Sequence, residues 1–209
     1  MNVPYRQIRA VYTEKSITVY QAYDSAVTEP AVAAQTFVSP FKRERMTWIK
    51  PSFLWMMYRS GWATKPGQRR VLAIEIRRDG LEWALANSCL SHYDRHQHTD
   101  RNAWMKQLRQ SPVRIQWDPE RDRHLNALPY RSLQIGLSGE AVNHYVDEWI
   151  LSITDATDLA TAIRAGESEA PLERSYPLAP NLAEIISADQ TGSVTPATCG
   201  RSEPAETGR

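Results

Sequence analysis

Residues 45–62 read Arg-Met-Thr-Trp-Ile-Lys-Pro-Ser-Phe-Leu-Trp-Met-Met-Tyr-Arg-Ser-Gly-Trp. The first six residues are typical of a strand, and Pro51 ends it because proline cannot donate to a strand ladder. The run that follows is apolar on every side up to Gly61, and a helix without a polar face is enclosed by the rest of the protein. The stretch therefore predicts a strand over residues 45–50 and a buried helix over residues 52–60.

The same stretch mixes cationic side chains with indole rings, as do surfaces that neutralise phosphates and stack bases. Lys50 and Ser52 stand at the start of the predicted helix, where free N–H groups and the helix dipole attract anions, and Arg59 stands near its end. Two interpretations stay open: these groups contact a phosphorylated ligand, or they border the helix with solvated head groups. Trp55 and Met57 are expected to be structural and to contact no ligand.

Outside this stretch, apolar periodicity predicts strands and helices in irregular alternation. The predicted strands are residues 7–12 paired with 17–23, then 71–76, 113–117, 132–137 and 150–154, with a long polar loop between residues 117 and 132. The predicted helices are residues 31–37, one from Asp79 through Cys89, one capped by Thr99 or Asp100, one over residues 142–149 and one closed by Gly166. About six strands with five to six helices in this order favour an α+β fold, with a mixed or antiparallel sheet that could be split.

Aromatic residues mark the extent of the core. All seven tryptophans and all three phenylalanines precede residue 150, and aromatic side chains dominate core burial. The last part of the chain is rich in Pro, Ser, Gly and Glu, which cannot offset its ordering entropy by burial. We expect a single domain over residues 1–188 and a disordered tail over residues 189–209, with residues 176–186 able to dock on the domain.

The charged residues, like the aromatic ones, are distributed differently before and after residue 150. The net charge is +1, but residues 1–150 carry 21 basic and 15 acidic side chains, whereas residues 151–209 carry 4 and 9. Most of the basic surplus is arginine, whose planar fork of donors suits phosphate and carboxylate groups. The body is therefore expected to bind a phosphorylated small molecule or a nucleic acid, and an ordinary solvated basic surface is the alternative.

Other features exclude whole classes of protein. No apolar run reaches the ~20 residues that a membrane helix needs, and no secretory signal opens the chain, so a cytoplasmic protein without membrane contact is expected. Cys89 and Cys199 are too far apart in sequence for a disulfide framework. The spacing of Cys89, His92, His96 and His98 fits no closed zinc module, so no metal is expected there.

Several charged residues stand where burial would require a partner. Arg6 stands at the start of the first predicted strand and Arg9 lies within it, near the run that contains Tyr20, and the two cannot both be buried without partners. Glu148 ends a helix, and Glu75 lies inside an apolar strand. Such a carboxylate is either exposed at an edge or a site residue with a raised pKa.

Five long segments of the sequence are specific enough to indicate membership of a protein family. They cover residues 5–12, 19–23, 45–62, 111–121 and 131–139. Over about residues 3–185 the chain resembles the domain-of-unknown-function family numbered 4291. That family carries no assigned activity, so the resemblance implies kinship without implying a reaction.

The order of elements also resembles, at the level of architecture only, the ADP-ribosyltransferase superfamily. This likeness implies that Gln21 takes the first-strand polar place, Ser52 the second polar place and Glu148 the late acidic place, although Gln21 departs from the usual His or Arg. It implies a transferase that uses NAD or is directed at RNA phosphate; the alternative is a non-catalytic module that binds RNA or protein. The residues expected to contact the ligand are Arg6, Arg9, Tyr20, Lys50, Ser52 and Arg59.

Overall fold

A computed structural model describes residues 3–95 and 98–189 of the 209-residue chain. Within these ranges the strands are β1 (Arg9–Ala10), β2 (Ser16–Tyr23), β3 (Thr47–Ile49), β4 (Arg70–Arg77), β5 (Ser88–Leu90), β6 (Val113–Arg121), β7 (Ala127–Leu137), β8 (Ile150–Asp155) and β9 (Arg174–Ser175). The helices are α1 (Ser25–Ala34), α2 (Phe53–Ser60), α3 (Arg78–Ala86), α4 (Arg101–Gln110), α5 (Glu140–His144), α6 (Thr157–Ala165) and α7 (Pro180–Ile185). A π-helical turn, Tyr145–Trp149, continues α5.

The main sheet is split into two halves. One half has the antiparallel order β2-β4-β8, and the other has the order β3-β7-β6-β5, in which β5 runs parallel to β6. The halves meet at an isolated bridge between Tyr20 and Lys50, where the backbone N–H of Tyr20 donates to the carbonyl of Lys50 at 2.7 Å. The expected α+β fold with a mixed, split sheet is confirmed.

The α2 helix forms as its sequence predicts. Ser52 is the N-cap, and its Oγ accepts the N–H of Trp55 at 3.1 Å. Gly61 closes the helix in the left-handed conformation, with φ of 61°, which glycine adopts without steric cost. Phe53 and Met57 are fully buried in an apolar cluster between α2, β2 and α6, so the expected buried helix is confirmed.

The main core lies between the two half-sheets and helices α1, α3 and α5. Buried isoleucines and leucines from β4 and β7 meet leucines of α3 there. The segment over residues 176–186 also docks, because Leu182 and Ile186 of the α7 region are buried in this core.

The first predicted hairpin is only partly present. Residues 7–12 and 17–23 touch through a bridge between Tyr12 and Ile17, but β1 pairs with β9, which comes from the other end of the chain. Local alternation could not reveal this partner, because the pairing joins residues more than 160 positions apart.

Three other predictions were wrong in their bounds. Helix α1 begins at Ser25 and runs through Pro30, because buried Thr28 and Ala31 fix it against the sheet. Cys89 lies on β5, beyond the end of α3. The polar stretch between residues 117 and 132 is mostly strand, since polar side chains on both faces hide the alternation that marks one.

Of the tail expected over residues 189–209, only Asp189 is described, and its backbone N–H donates to the carbonyl of Arg6 at 2.8 Å. The remainder lies outside the described residues. Among the helices of the described ranges, none has the length and apolar character needed to cross a bilayer.

Gly80 on α3 provides a test of the packing. A Cβ atom at this position would lie 2.4 Å from Cγ of Trp149, well inside contact distance. Helix propensity alone would make Gly80→Ala stabilising by ~1 kcal/mol, whereas overpacking costs ~1–3 kcal/mol. We expect Gly80→Ala to lower the free energy of unfolding in urea. An unchanged or higher value would contradict the close approach of Trp149.

Candidate functional site

A cavity of about 660 Å³ opens where the two half-sheets diverge beyond the Tyr20–Lys50 bridge. We call it the cleft. Three cationic side chains reach it from different elements: Arg45 precedes β3, Lys50 follows β3, and Arg59 lies in the last turn of α2. The sequence stretch that predicted a strand and a buried helix thus supplies all three charges.

Lys50 is buried, with 6% of its surface exposed. Its Nζ donates to the carbonyl of Trp48 at 3.0 Å and lies 5.7 Å from the centre of the Trp55 ring. Burial and the nearby positive charge of Arg59 lower the pKa of Lys50 to about 7, against the opposing effect of Asp118. The amine is therefore poised to change its protonation state near neutral pH, and an entering anion would favour the charged form.

Trp55 also lines the cleft, although only 4% of it is exposed. Its indole N–H has no hydrogen-bond partner among the described residues. A buried donor without a partner costs ~1–3 kcal/mol, so such groups call for a specific explanation. Met57 is enclosed in the apolar cluster, as expected, whereas Trp55 is buried and also borders the cavity.

Gln21 lies at the wall of the cleft and is committed to internal hydrogen bonds. Its Nε2 donates to Oγ1 of Thr47 at 2.6 Å and to the hydroxyl of Tyr23 at 2.9 Å, and its Oε1 accepts the hydroxyl of Tyr145 at 2.8 Å. Burial raises the pKa of Tyr145 well above its usual range, so this phenol remains a donor. Gln21 therefore ties β2, β3 and the π-helical turn together at the cleft.

Asp118 is the carboxylate of the cleft. It lies on β6, where Nε2 of Gln116 donates to its two oxygens at 3.0 and 3.2 Å, and Nε2 of Gln134 on the adjacent β7 also donates to it. Two amides thus hold the carboxylate in place and satisfy part of its hydrogen-bonding capacity.

Ser52 faces a different, small cavity of about 110 Å³, which Arg9 also lines. The Ser52 hydroxyl donates to Oε1 of Glu120 at 2.9 Å, and the backbone N–H of Phe53 donates to Oε1 of Glu173 at 2.6 Å. The first-turn groups of α2 are thus occupied by the protein's own carboxyl groups. From the sequence, this helix end was a possible binding site for an external anion. In the structure, Glu120 and Glu173 occupy that position.

The two glutamates of this small cavity have perturbed acidities. Burial raises the pKa of Glu120. Burial and the neighbouring Glu120 raise the pKa of Glu173 to about 8, and the N–H of Phe53 and the charge of Arg9 only partly offset this. Glu173 is accordingly protonated for the most part at neutral pH.

The remaining ligand-contact predictions fall at separate places. Tyr20 is buried beside Phe53, with ring centres 5.3 Å apart in an edge-to-face arrangement. Arg6 lies at a third cavity, where its Nη1 is 3.6 Å from a carboxylate oxygen of Asp94. Of the predicted residues, the cleft therefore brings together Gln21, Lys50 and Arg59.

The acidic candidates also lie apart from the cleft lining. Glu148 is on the surface, with 59% of its side chain exposed, and its Oε1 is 2.7 Å from Nδ1 of His144. Glu75 on β4 accepts hydrogen bonds from the hydroxyls of Ser16 and Ser152.

The region of the histidines holds no metal-like cluster in the part of the chain that the structure describes. Cys89 is buried on β5, and His98 contacts the backbone carbonyl of Asp94. His96 lies outside the described residues.

Sequence reasoning missed four residues that shape these sites: Arg45, Asp118, Glu120 and Glu173. Gln116, Asp118 and Glu120 alternate along β6, and this period of two was a usable signal once the stretch is taken as a strand. Glu173 carries no such signal, because a loop segment far along the chain delivers it to α2.

Fold and sites together define an α+β protein with a cation-lined cleft between the halves of a split sheet. Residues 7–182 match the family model described as Domain of unknown function (DUF4291), and the chain belongs to that family. This span agrees with the resemblance seen over about residues 3–185. Comparison with curated proteins and with solved structures gave no match.

Glu173 gives a test of the small cavity. Its pKa is raised from an ordinary 4.5 to about 8 in the folded protein, so its stabilising contribution is present below about pH 4.5 and is lost as the pH rises through 8. We expect Glu173→Gln to reduce the loss of thermal stability between pH 6 and pH 9, since the glutamine carbonyl can still accept the N–H of Phe53. The exposed Glu167→Gln is the control. Parallel stability profiles for wild type and Glu173→Gln would contradict the assignment.

Proposed function

We propose that the cleft binds a phosphorylated, nucleotide-type ligand. The convergence of Arg45, Lys50 and Arg59 on one cavity carries the proposal. Guanidinium and ammonium groups make charge-assisted hydrogen bonds to phosphate oxygens, which are about twice as strong as neutral ones. Three basic groups stand against one carboxylate, Asp118, which already receives two amides. This balance favours an anionic ligand.

The other walls of the cleft suit a base and a sugar. Trp48, Trp55 and Tyr23 supply aromatic surface, and Gln68 and Gln116 supply amide groups. Rings recognise a nucleobase through its flat face, and amides recognise its polar edge. A volume of about 660 Å³ also lies in the range of small-molecule sites.

Trp55 strengthens this argument from another direction. Its indole N–H is buried without a partner among the described residues, beside the Lys50 amine. The nitrogen has almost no exposed surface, so a ligand oxygen would reach that donor only if binding shifted the side chains around Trp55, and such a contact would recover the cost of burying it.

A transferase and a binding module would share this ligand chemistry. A transferase needs a carboxylate beside the ligand, and in the cleft that group is Asp118, since Glu148 is exposed and paired with His144. The pair assigned by likeness, Gln21 and Glu148, is therefore not assembled around one cavity, and no reaction step through NAD follows from it. Binding needs only the cations and rings of the cleft and is the function that the geometry supports best.

Arg59 tests the phosphate contact. It is exposed in the last turn of α2, so its removal should leave the fold stable. We expect Arg59→Ala to weaken ADP binding about tenfold or more in calorimetry, because a hydrogen bond to a charged group contributes ~1.5–3 kcal/mol. Arg164→Ala, which removes an exposed arginine from α6, is the matched control. Equal ADP affinity in both variants, or no ADP binding by the wild type, would refute the proposal.

Proton uptake by Lys50 on ligand binding gives a second test of the phosphate contact. The pKa of Lys50 is about 7 without ligand, and a neighbouring phosphate raises it, so the complex holds more protons than the free protein at pH 8. We expect ADP affinity to fall as the pH rises from 7 to 9, and calorimetry in buffers of different ionisation enthalpy to show proton uptake at pH 8. Lys50→Met, which keeps the side-chain length, should abolish that uptake. Undiminished uptake in Lys50→Met would place the proton elsewhere.

A further inference from the structure

A second large cavity, of about 480 Å³, opens at the edge of β6. β5 pairs with β6 only from Val113 to Ile115, so the strand continues past the end of its neighbour at Gln116 and Trp117. We call this space the arginine cavity. Its cations are Arg6, Arg95 and Arg131, and its aromatic rings are Tyr5, Tyr93 and Trp117.

The arginine cavity and the cleft share a wall residue. Gln116 lines both spaces, on the strand that also carries Asp118 into the cleft. The two spaces therefore adjoin at β6, and a ligand that occupied both would run past Gln116.

The three arginines of this cavity differ in how many contacts they make with the rest of the protein. Arg131 donates through Nε to the hydroxyl of Tyr5 at 2.8 Å, and its guanidinium carbon lies 5.2 Å from the centre of that ring. Its two terminal nitrogens make no hydrogen bond within the described residues. Arg95 is exposed, whereas Arg6 is close to Asp94. Three cations against one carboxylate leave this cavity positive, as the cleft is.

Cations and aromatic rings in two adjoining cavities suit a ligand with repeating phosphates and bases. A mononucleotide offers one base and one phosphate-bearing end, which the rings and cations of the cleft can account for without the arginine cavity. A single-stranded nucleic acid repeats both, and proteins bind it with a positive groove that follows the backbone and with aromatic side chains that stack the bases. An acidic peptide repeats the charge but offers no flat base, and a duplex keeps its bases stacked inside.

We propose that the ligand is a single-stranded nucleic acid, with one nucleotide in the cleft and the following nucleotides in the arginine cavity. This inference rests on the proposed function and names its ligand class. It assigns Arg95 and Arg131 to phosphates beyond the first nucleotide.

The test compares an eight-residue oligoadenylate with ADP by fluorescence anisotropy and calorimetry at low salt. We expect the octamer to bind about tenfold tighter than ADP or more, because added phosphate contacts release counterions and added bases stack. Arg131→Gln and, separately, the exposed Arg95→Gln should each weaken octamer binding about fivefold and leave ADP binding unchanged. Arg164→Gln should change neither. The Arg95 variant keeps the test valid should Arg131→Gln lose its packing on Tyr5 and unfold.

Each contrary result has a distinct meaning. Octamer binding no tighter than ADP, or unchanged octamer binding in both arginine variants, overturns this inference and leaves the nucleotide cleft standing. Equal competition by an octa-aspartate peptide, or equal binding of a duplex of the same length, also overturns it, since charge alone would then suffice. Absence of both ADP and octamer binding overturns the proposed function and this inference together.

Discussion

The hydrogen bond from the Tyr20 backbone N–H to the Lys50 carbonyl, 2.7 Å long, joins two half-sheets that otherwise pair with different partners. Beyond it the strands diverge, and their unsatisfied polar groups must find other partners. The Gln21 amide meets part of that requirement, because its Nε2 donates to the Trp48 carbonyl at 3.2 Å, and it also links the Thr47 and Tyr145 hydroxyls across the gap. The cleft is the open part of this gap, and the hydrogen-bonded side chains of Gln21 and Thr47 form part of its wall.

The α2 helix contributes side chains to this cleft, because the donors at its N-terminus already form hydrogen bonds within the protein. The groups at its N-terminus bind Glu120 and Glu173, so the positive end of the helix faces the protein's own carboxyl groups. Its last turn delivers Arg59 to the cleft, and Trp55 lies between the two ends. The positive charges of the cleft therefore come from side chains and not from the end of a helix.

Burial perturbs one titratable group at each of the two cavities, Lys50 at the cleft and Glu173 at the small cavity. Burial pushes both groups toward their neutral forms, the amine at a pKa of about 7 and the carboxyl at about 8. Glu173 already has the Phe53 N–H as its partner. Lys50 has one carbonyl and an aromatic face as partners, which leaves part of the donor capacity of its charged form unused within the described residues. The carboxyl group of the small cavity is thus paired within the chain, whereas the amine at the cleft retains hydrogen-bonding capacity.

The sequence by itself determined the α+β class, the buried α2 helix and the presence of Lys50 and Arg59 at its two ends, because these follow from local periodicity and from neighbours in the chain. Tertiary structure alone decided that Asp118 joins them, that Glu173 accepts the N–H of Phe53 and that Glu148 stays on the surface. Polar strands such as the far part of β6 carry no apolar pattern, and pairings between distant segments leave no local trace. The chemistry of the cleft therefore depends on contacts that only folding makes.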